Sequence, residues 1–370
     1  MNGYFDNAST SFPKPKEVGE WIEKYLASGG TYGRAGHRKS IEVARVVEET
    51  RDLLSSLMGI AEPENLVFCS SATEGSNAVL SGFAFKNKRV LVDSMSHNAV
   101  TRPLHHLKES IGLECSIVPH FSDGLIDIDQ LKSMVDSTVD MVIVNHVSNV
   151  NGVIQNIREI KNAIGDIPLL LDASQSAGKV PVKANEWGVD YLFFTAHKGL
   201  LGPTGVGAFY ANNPSNLPPY KYGGTGSNSE SELMPPYNPD KFEAGTPNSL
   251  GIFGLYGALT ANLKSLHSQE DFYLLLEKIE QLKAYEVYCA QNRENQSELF
   301  SLRHRGKSND ELAYVLDRKY DIQVRSGLHC APFAHKALGT FPNGSVRFSI
   351  SPFHTTLDFE NLYNVLEGIS

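Results

Sequence analysis

Cysteine is scarce in this chain: four residues in 370, Cys69, Cys115, Cys289 and Cys330, with no Cys-x-x-Cys pair among them. That spacing speaks against a disulfide framework and a thiolate zinc site, and it fits a reducing compartment such as the cytoplasm. Long apolar runs are also missing, and nothing approaches the roughly 18 residues a membrane span needs. The opening MNGYFDNAST has neither a basic n-region nor an apolar h-region, so the chain reads as soluble and untargeted. Basic charge is in deficit, with 33 Lys and Arg against 42 Asp and Glu and a net charge of −9. A nucleic-acid footprint would need clustered cations, so small molecules or protein partners are the expected ligands. No HExxH, Walker A or GxGxxG run is present, and the adjacent His105 and His106 do not make a metal site.

What is present is a series of short apolar runs: LVFC (66–69), RVLV (89–92), MVIV (141–144), PLLL (168–171) and YLFF (191–194). They have the length and β-branched content of buried strands. Helix-like stretches such as EGSNAVLSGFAF, NAVTRPLHHLKES and IDQLKSMVD lie between them, and the alternation predicts crossover units and a mainly parallel sheet. Such sheets bind ligands beyond the carboxyl ends of their strands. A turn-rich stretch over 212–248 precedes a resumed helical pattern near Leu250, which sets an expected domain boundary at 248. Helices over 271–290 and 309–319, strands at IQVR and VRFSI, and a helix from 357 would form a smaller α+β unit. The segment 291–310 is polar and offers no clear strand.

Several residues just past strand ends could carry chemistry. Lys198 follows YLFF in FFTAHKGLLGPTGVG, ahead of a Gly-rich turn, where an amine can form a Schiff base; alone it would be an ordinary loop lysine. Asp172 closes PLLL, and a carboxylate on an apolar strand needs a cationic partner, such as a protonated pyridine nitrogen, unless it is a simple cap. In SSATEGSN, Ala72 and Thr73 would offer N–H groups and a hydroxyl to an anion at a helix N-terminus, although a plain cap explains the same letters. His97 could stack on a flat ring or fill space. Cys330 stands in a loop near Arg325 and His329, whose charge would favour a thiolate. Cys69 and Cys115 fall in strand-like runs and Cys289 in a helix, so inert burial is expected for all three.

Taken in order, DNAST, SSATEGSN, SHNAV, VSNVNG, DASQSAGK, TAHKGLLGPTGVG, FEAGTPNS, RSGLHCAP and VRFSISPFHT resemble the class V aminotransferase family of fold-type I pyridoxal-phosphate enzymes. Within it they are most similar to the cysteine desulfurase and selenocysteine lyase branch, over nearly the whole chain. The resemblance implies an α/β fold-type I transferase: a segment 1–15 lining the active site, a large cofactor-binding domain over 16–248, and a small C-terminal domain over 249–370. It further implies pyridoxal 5'-phosphate bound covalently by Lys198, stacked under His97, paired through its ring nitrogen with Asp172 and hydrogen-bonded by Gln175. Ala72, Thr73, Thr195 and His197 would hold the phosphate, and Thr246 would reach the phosphate of a second subunit, which requires a homodimer. Asn149 would face ring or substrate, Asn7, Arg325 and Arg347 would meet the substrate, and Cys330 would accept sulfur from L-cysteine before passing it to an acceptor protein. Selenocysteine lyase, another class V transferase or lyase without sulfur transfer, and a non-catalytic α/β binding module are the alternatives.

Overall fold

A computed structural model of the chain describes residues 3–370, and Met1 and Asn2 lie outside the described residues. Helices α1 (Lys16–Ser28) and α2 (Arg38–Met58) lead into β1 (Leu66–Cys69), α3 (Ala72–Gly82), β2 (Arg89–Val92), α4 (Asn98–Ile111), β3 (Glu114–Ile117) and α5 (Ile128–Met134). Then come β4 (Met141–Asn145), α6 (Ile157–Ile164), β5 (Leu169–Asp172), α7 (Ala184–Trp187), β6 (Tyr191–Thr195), β7 (Gly207–Ala211) and α8 (Ser249–Thr260). The remainder comprises α9 (Gln269–Glu280), β8 (Tyr285–Tyr288), β9 (Leu299–His304), α10 (Asn309–Tyr320), β10 (Arg325–Gly327), α11 (Pro332–Ala337), β11 (Ser345–Ser349) and α12 (Thr356–Ile369).

Seven strands form one sheet in the order β1-β7-β6-β5-β4-β2-β3. Pairing is parallel from β6 through β5, β4 and β2 to β3, whereas β7 runs antiparallel to both β1 and β6. The five apolar runs are β1, β2, β4, β5 and β6, nearly every residue of them buried because helices cover both faces. Two strands carried no such signal. Edge strand β3 leaves Glu114, Cys115 and Ile117 exposed, so it lacks a continuous apolar run. Cys115 is therefore not the buried thiol its sequence context suggested. Strand β7 opens on Gly207, where a side chain would meet Phe194 O at 2.7 Å and the Ser71 backbone at 2.9 Å. Only glycine lets the strand pass so close to the start of α3.

A four-stranded antiparallel sheet, β10-β11-β9-β8, carries the second core, with Phe300 stacked on Phe348 at 5.1 Å between ring centroids. Three details differ from the sequence reading. The helix expected over 271–290 stops at Glu280 and gives way to β8, leaving Cys289 half-buried just past a strand. The polar segment 291–310 supplies β9, an inner strand hidden in the sequence because LFSLRH mixes polar residues with a short apolar stretch. Finally, α8 buries Ile252, Phe253 and Leu255 in the core of the large sheet, so the second unit gathers beyond Thr260 rather than at 249. The chain start joins that unit: Tyr4 bridges Gln323, Asp6 bridges Ser349, and Phe5 enters its core. The two sheets are thereby tied by the same segment that borders the cleft between them. No helix among the described residues is long and apolar enough to cross a membrane.

Candidate active site

The carboxyl ends of β4, β5 and β6 place Asn145, Asp172 and Thr195 in a row, with Asn145 and Asp172 in register across neighbouring strands. Above them opens a cleft of about 240 Å³, lined by Ala72, Thr73, His97, Asn149, Asp172, Gln175, Thr195, His197, Lys198, Arg325 and Arg347 together with Ala8, Ser9, Ser174 and His329. Residues from both ends of the chain thus converge on one cavity.

Asp172 is buried, and its carboxylate accepts the Ser174 N–H at 2.9 Å. Burial raises its pKa, opposed by Ser174 and by the charge of Lys198, and no ion pair to it forms among the described residues. A buried carboxylate in this state is a receptor for a cation. Lys198 lies just beyond β6, and burial lowers its pKa to about 8 against the opposing pull of Asp172, so about a tenth of the amine is free at pH 7, far more than for an ordinary lysine.

His97 caps α4, its Nδ1 accepting the Ala99 N–H at 3.0 Å, which leaves the proton of the neutral ring on Nε2. Burial, reinforced by Lys198, Arg325 and Arg347, lowers its pKa to about 3. His197 is held down to about 4 by burial and by Lys198 and Lys14, and its Nδ1 has no partner. Both imidazoles are flat, neutral surfaces at pH 7. At the start of α3, Ser71 caps the helix by accepting from Glu74 N at 3.2 Å, and the first-turn amides of Ala72 and Thr73 border the cleft. This is an anion-binding end: exposed N–H groups and the positive pole of an 11-residue helix, with the Thr73 hydroxyl alongside.

Gln175 donates to Ala8 O at 3.0 Å, and Asn149 donates to His329 O at 2.8 Å while its own Oδ1 stays unpaired. Arg347 is buried on β11; its Nη2 donates to Asp6 at 2.7 Å and Ser9 at 2.8 Å, its Nη1 to Asn149 O at 3.0 Å, and its Nε is unpaired. Arg325, opposite Arg347 across the β10–β11 pair, donates to Ser9 at 3.3 Å and reaches Cys330 Sγ at 3.3 Å. The turn that carries this thiol is unusual. His329 and Cys330 both adopt left-handed φ values of 49° and 56°, a conformation costly for non-glycine residues. Asn149 holds His329 O and the Asn98 N–H holds Cys330 O at 2.8 Å, so two loops over-determine the turn and leave the thiol exposed at the border of the cleft.

Two expectations are corrected here. Asn7 does not line the cleft: its amide is spent on Tyr4 O, Ser349 O and the Phe12 N–H. His329 adds no charge beside Cys330, because burial together with Arg347 drives its pKa well below 6.5, and Arg325 is the cation in contact with the thiol. Thr246, expected to serve a second subunit, is exposed and lies outside this cleft, lining a different cavity of about 290 Å³ with Cys69, Glu74 and Glu243. Ser9, Ser174 and His329 were not singled out as site residues from sequence. Ser9 lies inside DNAST and Ser174 inside DASQSAGK, so the motif runs were the available signal.

The profile of the class-V aminotransferase family matches residues 3–362, and the chain belongs to that family. Among its relatives are a probable cysteine desulfurase of Aeropyrum pernix, 30% identical with 99% of this chain and 94% of the relative covered, and one of Methanothermobacter thermautotrophicus, 29% identical with the same coverage. The apo cysteine desulfurase structure from Thermococcus onnurineus superposes with a TM-score of 0.90 at 28% identity, over 99% of this chain and 94% of that one.

Pyridoxal phosphate, which the family implies, can be tested against the residues present. A cation-seeking buried carboxylate, an amine with lowered pKa, two neutral imidazoles, a helix N-terminus and unpaired polar atoms on Asn149, Ser174 and His197 match a flat, phosphorylated, pyridinium-bearing aldehyde. The site fits that group.

Proposed function

We propose that this protein is a pyridoxal-phosphate-dependent cysteine desulfurase that moves sulfur from L-cysteine to Cys330 and works as a cytoplasmic homodimer. The observation that carries it is a cleft lined by Asp172, Lys198 and Arg325, with a thiol held on a strained turn in contact with that Arg325. When bound, pyridoxal phosphate supplies an electron sink for charge developed at the substrate Cα. Lys198 would hold the cofactor's aldehyde carbon and, as a free amine, would take the substrate Cα proton, a task suited to a pKa near 8. Asp172 would keep the ring nitrogen protonated, His97 would offer its flat ring to the cofactor, and Gln175 would hydrogen-bond the ring oxygen. The amides of Ala72 and Thr73, with Thr195 and His197, hold the phosphate. Arg347 and Arg325 orient the substrate carboxylate.

Cys330 Sγ then attacks the substrate sulfur. An S–S bond forms, the Cβ–S bond breaks, and its electron pair stays with the carbon skeleton, which leaves as L-alanine after protonation. An acceptor thiol or a reductant must unload the persulfide. Access supports Cys330 as the acceptor, because Cys69 is buried with its pKa raised to about 12 and Cys289 is likewise raised to about 12 by burial. Cys115 is exposed, but it stands on the edge strand β3 and not on the cleft.

The test is Cys330→Ala. The variant should keep the visible absorption of the bound cofactor and its spectral response to cysteine, yet lose alanine release, and mass spectrometry of the wild type should find the persulfide on Cys330. Alanine release at the wild-type rate, or a persulfide on another cysteine, would remove Cys330 from the role; activity retained on selenocysteine alone would point to a selenocysteine lyase. The exposed Thr246 is assigned to the partner subunit's phosphate, and light scattering on the active, cofactor-loaded protein checks it: a monomer rules it out.

A further inference from the structure

The exposed thiol and the two arginines of the cleft belong to one closed ring of contacts. Cys330 Sγ meets Arg325 Nη2 at 3.3 Å, Arg325 Nη1 donates to Ser9 Oγ at 3.3 Å, and the same hydroxyl accepts from Arg347 Nη2 at 2.8 Å. Arg347 Nη1 donates in turn to Asn149 O at 3.0 Å. Asn149 closes the ring, its Nδ2 donating at 2.8 Å to the carbonyl of His329, the residue before Cys330. One residue thus meets an arginine through its backbone and the thiol's turn through its side chain.

Asn149 is itself firmly placed. The Ser148 hydroxyl accepts from the N–H groups of Val150 and Asn151 at 3.1 and 3.3 Å, the Ser301 hydroxyl on β9 donates to Val150 O, and Val147 bridges Ile154. Val150 is buried in a small apolar cluster with Met95, Ala331 and Ala334, so the segments before His97, around Asn149 and after Cys330 share one core. The turn needs such support. His329 and Cys330 are both left-handed, and neither is the glycine that would adopt this conformation without crowding its Cβ against the backbone. Without the Asn149 amide, only the Asn98 N–H on Cys330 O still holds the turn's carbonyls, and relaxation of His329 toward its ordinary backbone region would carry the thiol away from Arg325.

We infer that Asn149 is a positioning residue for sulfur transfer: its side-chain amide holds the turn of Cys330 in register with Arg347, which sets the thiol at a fixed place relative to a substrate whose carboxylate that arginine receives. The inference rests on the proposed function, in which Arg347 takes the carboxylate and Cys330 the sulfur. It goes beyond an Asn149 that only faces ring or substrate, because the donor end of the amide is spent on the turn and Oδ1 alone is left without a partner.

The experiment separates the steps before and after the thiol acts, on cofactor-loaded protein. Exchange of the Cα hydrogen of L-alanine with D2O, followed by NMR, calls on the cofactor, Lys198 and the arginines but not on Cys330. Alanine release from L-cysteine calls on all of them. Asn149→Ala should slow alanine release by about ten- to a hundredfold more than it slows exchange, the span of one lost buried hydrogen bond. The persulfide found on Cys330 by mass spectrometry after a single turnover should fall in parallel. Asn149→Leu keeps most of the volume, adds no charge and equally lacks a donor, so it should show the same split and replaces the alanine variant if that one folds poorly. Losses that are equal in the two assays, absent from both, or larger in exchange would overturn the assignment. Wild-type protein that releases no alanine from cysteine would instead sink the proposed function, and this inference with it.

Discussion

Replacing Asp172 by asparagine separates function from stability in a way that the site's electrostatics fix in advance. A contact ion pair at ~4 Å is worth about 4 kcal/mol at an effective dielectric of 20. At 1.36 kcal/mol per pKa unit this is about three units of support for a protonated ring nitrogen, so activity should fall on the order of a thousandfold. Stability should move the other way. Burial raises the pKa of Asp172 in the folded state above its unfolded value, so as pH rises past the unfolded value near 3.8 the unfolded chain releases its proton first. Above the raised folded value the ionised, unpaired carboxylate therefore costs the cofactor-free protein stability. The asparagine amide keeps an acceptor for the Ser174 N–H and carries no charge. Cofactor-free Asp172→Asn should then melt at or above the wild-type temperature at pH 7, while the loaded variant is nearly inactive. The assays are calorimetry with and without cofactor and alanine release from cysteine. A variant that melts much earlier yet keeps most of its activity would refute the reasoning and make Asp172 a strand-end cap.

Lys198→Ala should fold normally but hold no covalent cofactor, read by borohydride reduction and mass spectrometry; for the wild type, the rate of covalent capture should rise with pH through about 8 as the buried amine loses its proton. A second, remote pH effect is expected where Lys179, Glu298 and His267 tie the large sheet to the small unit. Although burial opposes its charge, the hydrogen bond to Glu298 at 3.0 Å raises the pKa of His267, and His267 with Lys179 overcomes burial to hold Glu298 near 2. The linkage is present between the ordinary values of the two groups; it is lost as pH falls through about 2 and as pH rises above 6.5 through the raised value of His267. His267→Gln should therefore lower the melting temperature at pH 6, by the equivalent of about 1.5–3 kcal/mol for a charge-assisted hydrogen bond, and the gap should close at higher pH. A gap independent of pH would show that His267 contributes packing alone.

How much of this was legible in the sequence depended on how local each cause is. Strands β1, β2, β4, β5 and β6 were readable because a doubly covered parallel strand must be apolar at every position. Lys198, Asp172 and His97 were readable because each closely follows such a run, where an open α/β sheet presents its ligands. Strands β3 and β9 were not, since both mix polar residues with apolar ones. The contacts of Asn7 were equally hidden: its amide is consumed by Ser349 O, 342 residues away, and no local pattern reports that. The charge of His329 was misread for a related reason. Sequence shows a basic residue beside Cys330, but burial, which only the fold determines, makes it neutral.

That last point governs the chemistry of the whole cleft. Burial strips the charge from His97, His197 and His329, so the imidazoles act as surfaces and hydrogen-bonding groups, and permanent charge is left to arginine, lysine and aspartate. Fixed charges in a small cavity must balance against whatever enters it, since each uncompensated one retains its desolvation cost. On the proposed reading, Asp172 answers a ring cation, the amides at the start of α3 answer a phosphate, and Arg325 and Arg347, joined through Ser9, answer a carboxylate. Each end of the cleft is thus matched to a different part of one zwitterionic amino acid joined to one cofactor. Cys330, in contact with Arg325, is exposed on a turn held by Asn98 and Asn149, the position from which the proposed reaction would pass sulfur to an acceptor without opening the charged interior.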